Sequence, residues 1–158
     1  MPFARQLAQT LDAEHRANLG LLDRLERALA GGAQSELPAL ARALARQLEH
    51  ELGHHFGFEE AELFPRLAAA GDEDLAALLS EEHASIRAVA TELLPLARAL
   101  SAGTLTLGER PAFKRLALEL AERMVAHIQK ETMALLPLLD DLLDDETDRL
   151  LSFAYASG

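Results

Sequence analysis

Apolar residues recur at helical spacing along nearly the whole chain. Leu7, Leu11, Leu19, Leu22, Leu25 and Leu29 predict a helix from about Phe3 to Ala30, which Gly31-Gly32 ends. Ser35 is a suitable N-cap and Pro38 suits the first turn of a second helix running to Ala70, before Gly71. Asp72-Glu-Asp opens a third helix, with acids at its positive end, that continues to about Leu100. The next connection ends in Thr106-Leu-Gly-Glu109, a capping-box spacing, and Pro111 falls in the first turn of a fourth helix reaching about Leu143. Asp144 to Asp148 reads as a loop and helix start, with a short amphipathic tail from Arg149 to Ala156. Four long helices with short connections predict an all-α, up-down-up-down four-helix bundle, with the tail packed across one end. The expectation is a single domain over residues 1–158.

Polar residues interrupt the apolar stripes in a repeating way. In the second helix Leu48, Leu52, His55, Glu59, Leu63 and Leu67 share one face; in the fourth, Leu120, Met124, His127, Glu131, Leu135 and Leu138 do. His15 lies between Leu11, Leu19 and Leu22, and His83 between Leu79, Ile86 and Ala90. Pro65 and Pro137 each stand ten residues after His55 and His127, inside helical patterns where proline is expected to kink or end the helix. Glu14-His15 and Glu82-His83 precede the paired motifs by 40 and 44 residues from histidine to histidine, so the helix pair reads as an internal duplication. His50 and His54 fall roughly opposite the apolar stripe, as does Glu51, and are expected to face solvent. Glu60 and Glu62 either support the inward residues from behind or are solvated, and the solvated reading is the expectation; Phe56, Phe58 and Phe64 are expected to pack the bundle.

Four histidines and two glutamates thus point into the core. A buried carboxylate without a partner costs several kcal/mol, and an imidazole needs its nitrogens satisfied. A lone histidine on such a stripe is ordinarily a hydrogen-bonded core residue, and the glutamates could pair with arginines. Six residues disposed symmetrically favour metal ions instead. Six ligands exceed the four of a structural zinc site, and mixed imidazole and carboxylate suits iron or manganese, with zinc a possible substitute. The natural division is two ions, each with two histidines, bridged by both glutamates.

Composition narrows the function classes. Hydrophobic residues make up 49% and aromatics 4%, mostly leaving Leu, Ala, Glu and Arg, which are strong helix formers. A formal charge of −11 disfavours nucleic acid and anionic membrane surfaces as partners. With no cysteine, thiolate chemistry, disulfides and iron–sulfur ligation are excluded. The N-terminal stretch lacks a leader pattern and no apolar run is of spanning length, so a cytoplasmic protein is expected.

The ferritin pattern of Glu-x-x-His pairs fails, because Met124 stands three before His127 and Glu51-x-x-His54 is expected on the solvent side. The order found, a lone His then His-x-x-x-Glu, twice over, resembles the hemerythrin-like (HHE cation-binding) family. Glu14-His15, His55-Phe-x-x-Glu59-Glu60-x-x-Leu63-Phe64-Pro65, Glu82-His83 and His127-x-x-x-Glu131 carry the resemblance. It implies a non-haem centre of two Fe ions with an oxo or hydroxo bridge. By the match, His15, His55, His83 and His127 are terminal ligands and Glu59 and Glu131 bridging ones. Arg87 stands where oxygen-carrying relatives have a further histidine, and Glu131 where they have an aspartate. The chain therefore looks like the four-histidine, two-glutamate subgroup, with more open coordination. Arg87 is expected near the site, stabilising an acid behind the ligands or a bound anion; the alternative is a surface pair with a neighbouring glutamate.

The resulting expectation is a module that binds O₂ or NO for sensing, storage or detoxification. The alternatives are reduction of peroxide or NO, donation of iron to damaged clusters through a protein partner still unknown, and a metal-free structural bundle. Whether the chain is an enzyme is left open by its sequence.

Overall fold

The computed structural model describes residues 3–32 and 34–158; Met1 and Pro2, which begin the stretch read for a leader, and Ala33 lie outside the described residues. Five helices, and no strand among the described residues, make up the fold. They are α1 (Gln6–Leu29), α2 (37–69), α3 (Glu73–Ala102), α4 (110–142) and α5 (Asp145–Ser157). Each long helix packs on the next in sequence and α4 closes back on α1, giving the expected up-down-up-down bundle, with α5 laid against α1.

The turns follow local chemistry. Gly31, Gly71 and Gly103 each follow a long helix with φ between 75° and 102°, a region side chains disfavour. Thr106 and Glu109 form the expected capping box: the Glu109 amide donates to Thr106 Oγ1 at 3.2 Å and the Thr106 amide to Glu109 Oε1 at 3.0 Å. Ser35 does not act as the expected cap, because a short 3₁₀ turn at Gln34–Glu36 carries the chain into α2 without a side-chain cap. The tail helix is longer than expected, starting at Asp145, since the Asp144 carboxylate accepts the Thr147 amide at 2.7 Å.

Neither proline ends its helix. π-helical turns at Glu59–Leu63 and Glu131–Leu135 lie just upstream of Pro65 and Pro137 and loosen the ladder where proline cannot donate. Each wide turn admits an extra residue and rotates the remainder of its helix. Leu135, Leu136 and Leu139 are therefore buried, whereas Leu138, expected on the stripe, is only half-buried. A third wide turn, Glu51–His55, has no counterpart in α4.

The start of α1 is held from the far end of the chain. Asp140 accepts the Ala4 and Arg5 amides, both at 2.9 Å, and Asp148 those of Gln6 at 2.9 Å and Leu7 at 3.0 Å. These acids satisfy donors that the first turn leaves open and complement the helix dipole. The core divides into two apolar clusters. One runs from Leu21 through Leu48, Phe56, Ile86 and Leu93 to Ile128. The other gathers Leu7, Leu11, Leu63, Leu79 and Leu135 with Leu151 and Tyr155. Between them every long helix contributes polar residues at one level.

Candidate metal centre

That polar layer consists of His15 from α1, His55 and Glu59 from α2, His83 from α3, and His127 and Glu131 from α4, all 2% exposed or less. All six residues expected to point inward therefore meet. Helical spacing sets the contacts within a helix: His55 Nε2 lies 3.3 Å from Glu59 Oε2, and His127 Nε2 lies 3.2 Å from Glu131 Oε2. Packing sets the others. His15 Nε2 is 3.0 Å from Glu131 Oε1, and His83 Nε2 is 3.3 Å from Glu59 Oε1. Two sets of ligand atoms at the centre of the layer, each within 4.8 Å, could hold an ion: His15, His55, Glu59, Glu131 and His83, His127, Glu59, Glu131. Both glutamates belong to both sets. A third group, Glu14, Glu51 and His55, lies on the outer side of His55 and shares neither Glu59 nor Glu131.

Each imidazole turns its Nε2 inward and its Nδ1 to an outer partner. Nδ1 of His83 lies 2.7 Å from Glu60 Oε2, and that of His127 2.8 Å from Glu82 Oε1. The same atom of His15 faces the Thr132 hydroxyl at 3.1 Å, and that of His55 faces Glu14 and Glu51, both at 3.3 Å. An acceptor at Nδ1 fixes the proton there, leaving the Nε2 lone pair free for a cation. The pattern repeats between the two halves: Glu14 and Glu82, each just before a core histidine, hold the histidine of the next helix. Glu60 and Thr132, each just after a core glutamate, hold the first histidine of the other half.

Arg87 fixes one of these acids. Its guanidinium donates to Glu60 at 2.6 and 3.1 Å and to the Leu52 carbonyl at 3.2 Å, and lies over the Phe56 ring. Phe56 in turn stacks on His83, with ring centres 3.7 Å apart. Glu60 is thus not the solvated acid expected but the alternative, a support behind a core histidine; α3 packing against α2 brings Arg87 to it. Glu51 departs further: expected toward solvent, it is 1% exposed, because the wide turn at 51–55 rotates it inward. His50 is exposed as expected and reaches Glu14 at 2.8 Å, while His54 is half-buried beneath Tyr155, whose ring stacks on it at 4.3 Å.

The electrostatics show what the layer demands. Burial pulls the His83 imidazole down, but the negative carboxylates of Glu131 and Glu59 close to its Nε2 outweigh it and raise the group to about 9. His55 and His127 are raised against burial in the same way, by Glu59 and Glu51 and by Glu131. Burial would raise Glu131, yet His127, His15 and His83 hold it well below the ordinary carboxylate range. Burial likewise opposes ionisation of Glu14, but His55, His50 and Tyr155 bring it to about 2. Glu51 is raised, because burial outweighs the opposing influence of His55 beside it and of the Asn18 side chain.

The donor set fits metal ions. Both oxygens of Glu59, Oε2 of Glu131 and Nε2 of His55 are buried without a hydrogen bond. The Nε2 atoms of His83 and His127 face each other at 3.1 Å while both Nδ1 atoms are committed to carboxylates. Two lone pairs so placed require a shared cation or proton. Thr132, Glu51 and Tyr155 were not legible as parts of the site, and Glu60 could be read as a support behind the ligands but was expected to be solvated. The single available signal was adjacency in sequence to a core ligand, which Glu60 and Thr132 share.

The hemerythrin HHE cation binding domain family matches residues 6–139, which span all four long helices. No curated protein and no solved structure matches the chain. The chain belongs to the hemerythrin HHE cation-binding domain family.

Proposed function

We propose that the six buried residues hold two iron ions and that the centre takes up O₂ or NO, for sensing, storage or detoxification. The observation that carries this reading is the convergence of four imidazole Nε2 atoms on two shared, buried carboxylates that lack any other partner. Iron bound there would supply redox chemistry and coordination positions open to a small external ligand. Its mixed imidazole and carboxylate donors suit iron or manganese better than a closed structural zinc site.

The chain's own residues have definable tasks. Glu59 and Glu131, each reaching both histidine pairs, would be shared by the two ions and would offset their charge. Glu14, Glu60, Glu82 and Thr132 keep the histidine protons on Nδ1 and the rings oriented. Phe56, Leu63, Leu79 and Leu135 exclude water above and below the layer. Arg87 acts through Glu60, whose charge it balances. The proposal includes a cytoplasmic setting; no described helix is long and apolar enough to cross a membrane.

The test is anaerobic addition of Fe²⁺ followed by metal analysis and exposure to O₂ or NO. About two irons per chain and new charge-transfer absorption on exposure are expected. Failure to retain iron overturns the metal assignment; a silent spectrum from iron-loaded protein overturns the gas-binding part.

A further inference from the structure

The two halves of the centre repeat one residue pattern, a lone His then His-x-x-x-Glu, yet their supports differ. Behind His83 and His127 stand carboxylates at 2.7 and 2.8 Å. Each of these acids is anchored by a full cation, Glu60 by Arg87 and Glu82 by Lys130. Behind His15 stands the neutral hydroxyl of Thr132 at 3.1 Å. Behind His55 the contacts lengthen to 3.3 Å, and the Glu14 oxygen that makes one of them also accepts from Tyr155 and His50, both at 2.8 Å. A carboxylate holding Nδ1–H makes Nε2 a stronger donor and stiffens the ring; a hydroxyl or a longer, shared contact does so less.

Access differs in the same sense. A groove of about 750 Å³ opens over His15 and Thr132 beside Asp12, Arg16 and Pro137. A second, of about 420 Å³, reaches Glu14, His50 and Tyr155. The hollow beside Glu82 is only about 170 Å³, and Phe56 covers the His83 ring.

We infer that the two metal positions are unequal and that the His15–His55 position is the exchange site. The protein gives up the ion held there while keeping the one held by His83 and His127. This rests on the metal-binding reading above and adds a role to it: the chain can hand one ion to an acceptor without dismantling its centre. Thr132, the uncharged counterpart of Glu60, is the residue that sets the difference.

The test loads the full chain anaerobically with Fe²⁺ and follows release to excess chromogenic ferrous chelator. Two phases of equal amplitude are expected. The shared glutamates could by themselves make the second ion leave more slowly, so the assignment depends on variants. Thr132→Glu should slow the first phase about tenfold or more and leave the second alone, since lost or gained support behind a ligand histidine changes metal affinity roughly 10–100-fold. Thr132→Val, a smaller change should the glutamate disturb folding, should speed the first phase. Glu60→Gln should speed the second phase only. A first phase that ignores both Thr132 substitutions, or that Glu60→Gln accelerates, overturns the inference while leaving the two-ion reading intact. Protein that takes up no Fe²⁺ overturns both.

Discussion

Without metal, the histidine–carboxylate layer must be held by protons, and this makes the stability of the metal-free protein depend on pH in a calculable direction. His83 rises from an ordinary 6.5 to about 9 in the fold. A group raised by folding contributes stability that is complete below its unfolded value and is lost as pH climbs through its folded value. The window is therefore pH 6.5 to 9, with stability falling across it. At ~1.4 kcal/mol for each tenfold gain in proton affinity, His83 is worth about 3 kcal/mol. His55 and His127 are raised too and act in the same direction. Glu131, lowered by folding, has the opposite sign: its contribution is present above pH 4.5 and lost as pH falls below that. Metal-free protein is thus expected to be most stable near pH 5 to 6.5. With a urea dependence of roughly 1–3 kcal/mol per molar for proteins of this general size, the unfolding midpoint should drop by about 1–3 M between pH 6.5 and 9. The assay is urea unfolding followed by circular dichroism with a chelator present, at about 0.5 M salt to screen the net charge of −11. In iron-loaded protein the trend should vanish or reverse, because metal competes with protons for the same lone pairs. Metal-free stability that stays level or rises over that window would refute the reasoning.

Other substitutions separate the centre from its scaffold. His55→Ala and His127→Ala should each remove at least one of two bound ions, read by metal analysis of protein whose helical spectrum is unchanged. Arg87→Leu frees Glu60 and should weaken metal binding about 10–100-fold in a chelator competition, while shifting unfolding by no more than ~1 kcal/mol, since the pair is about a third exposed. Asp148→Ala removes the acceptor for two amides at the start of α1. It should cost about 1–2 kcal/mol in urea unfolding with metal content unaltered. Leu93→Ala, in the apolar cluster away from the layer, should cost about 2–5 kcal/mol and likewise leave two ions bound.

Local periodicity determined much of this protein. An apolar residue every three or four positions selects a helix and names its inward face. The six residues at the centre interrupt those faces, so they could be read off without knowing how the helices pack. The capping box at Thr106 and the glycines after α1, α2 and α3 were legible for the same reason: each acts within a few residues of itself. Periodicity assumes a uniform pitch, however, and it failed where the pitch changes. The wide turn at Glu51–His55 carried Glu51 inside, and the one at Glu131–Leu135 moved burial from Leu138 to Leu139.

What only the tertiary structure decided is which side chains meet at one level of the bundle. Glu60 meets His83 across 23 residues, Thr132 meets His15 across 117, and Asp148 caps a helix that begins 142 positions earlier. Such contacts depend on how far helices slide and rotate against each other, which packing of whole faces sets and no short spacing records. The sequence by itself therefore specified the six residues that meet in the buried polar layer. Packing decided that the residue after each of Glu59 and Glu131 stands behind a histidine of the other half, and so turned a Glu60-for-Thr132 difference in sequence into an anchored carboxylate behind His83 and only a hydroxyl behind His15.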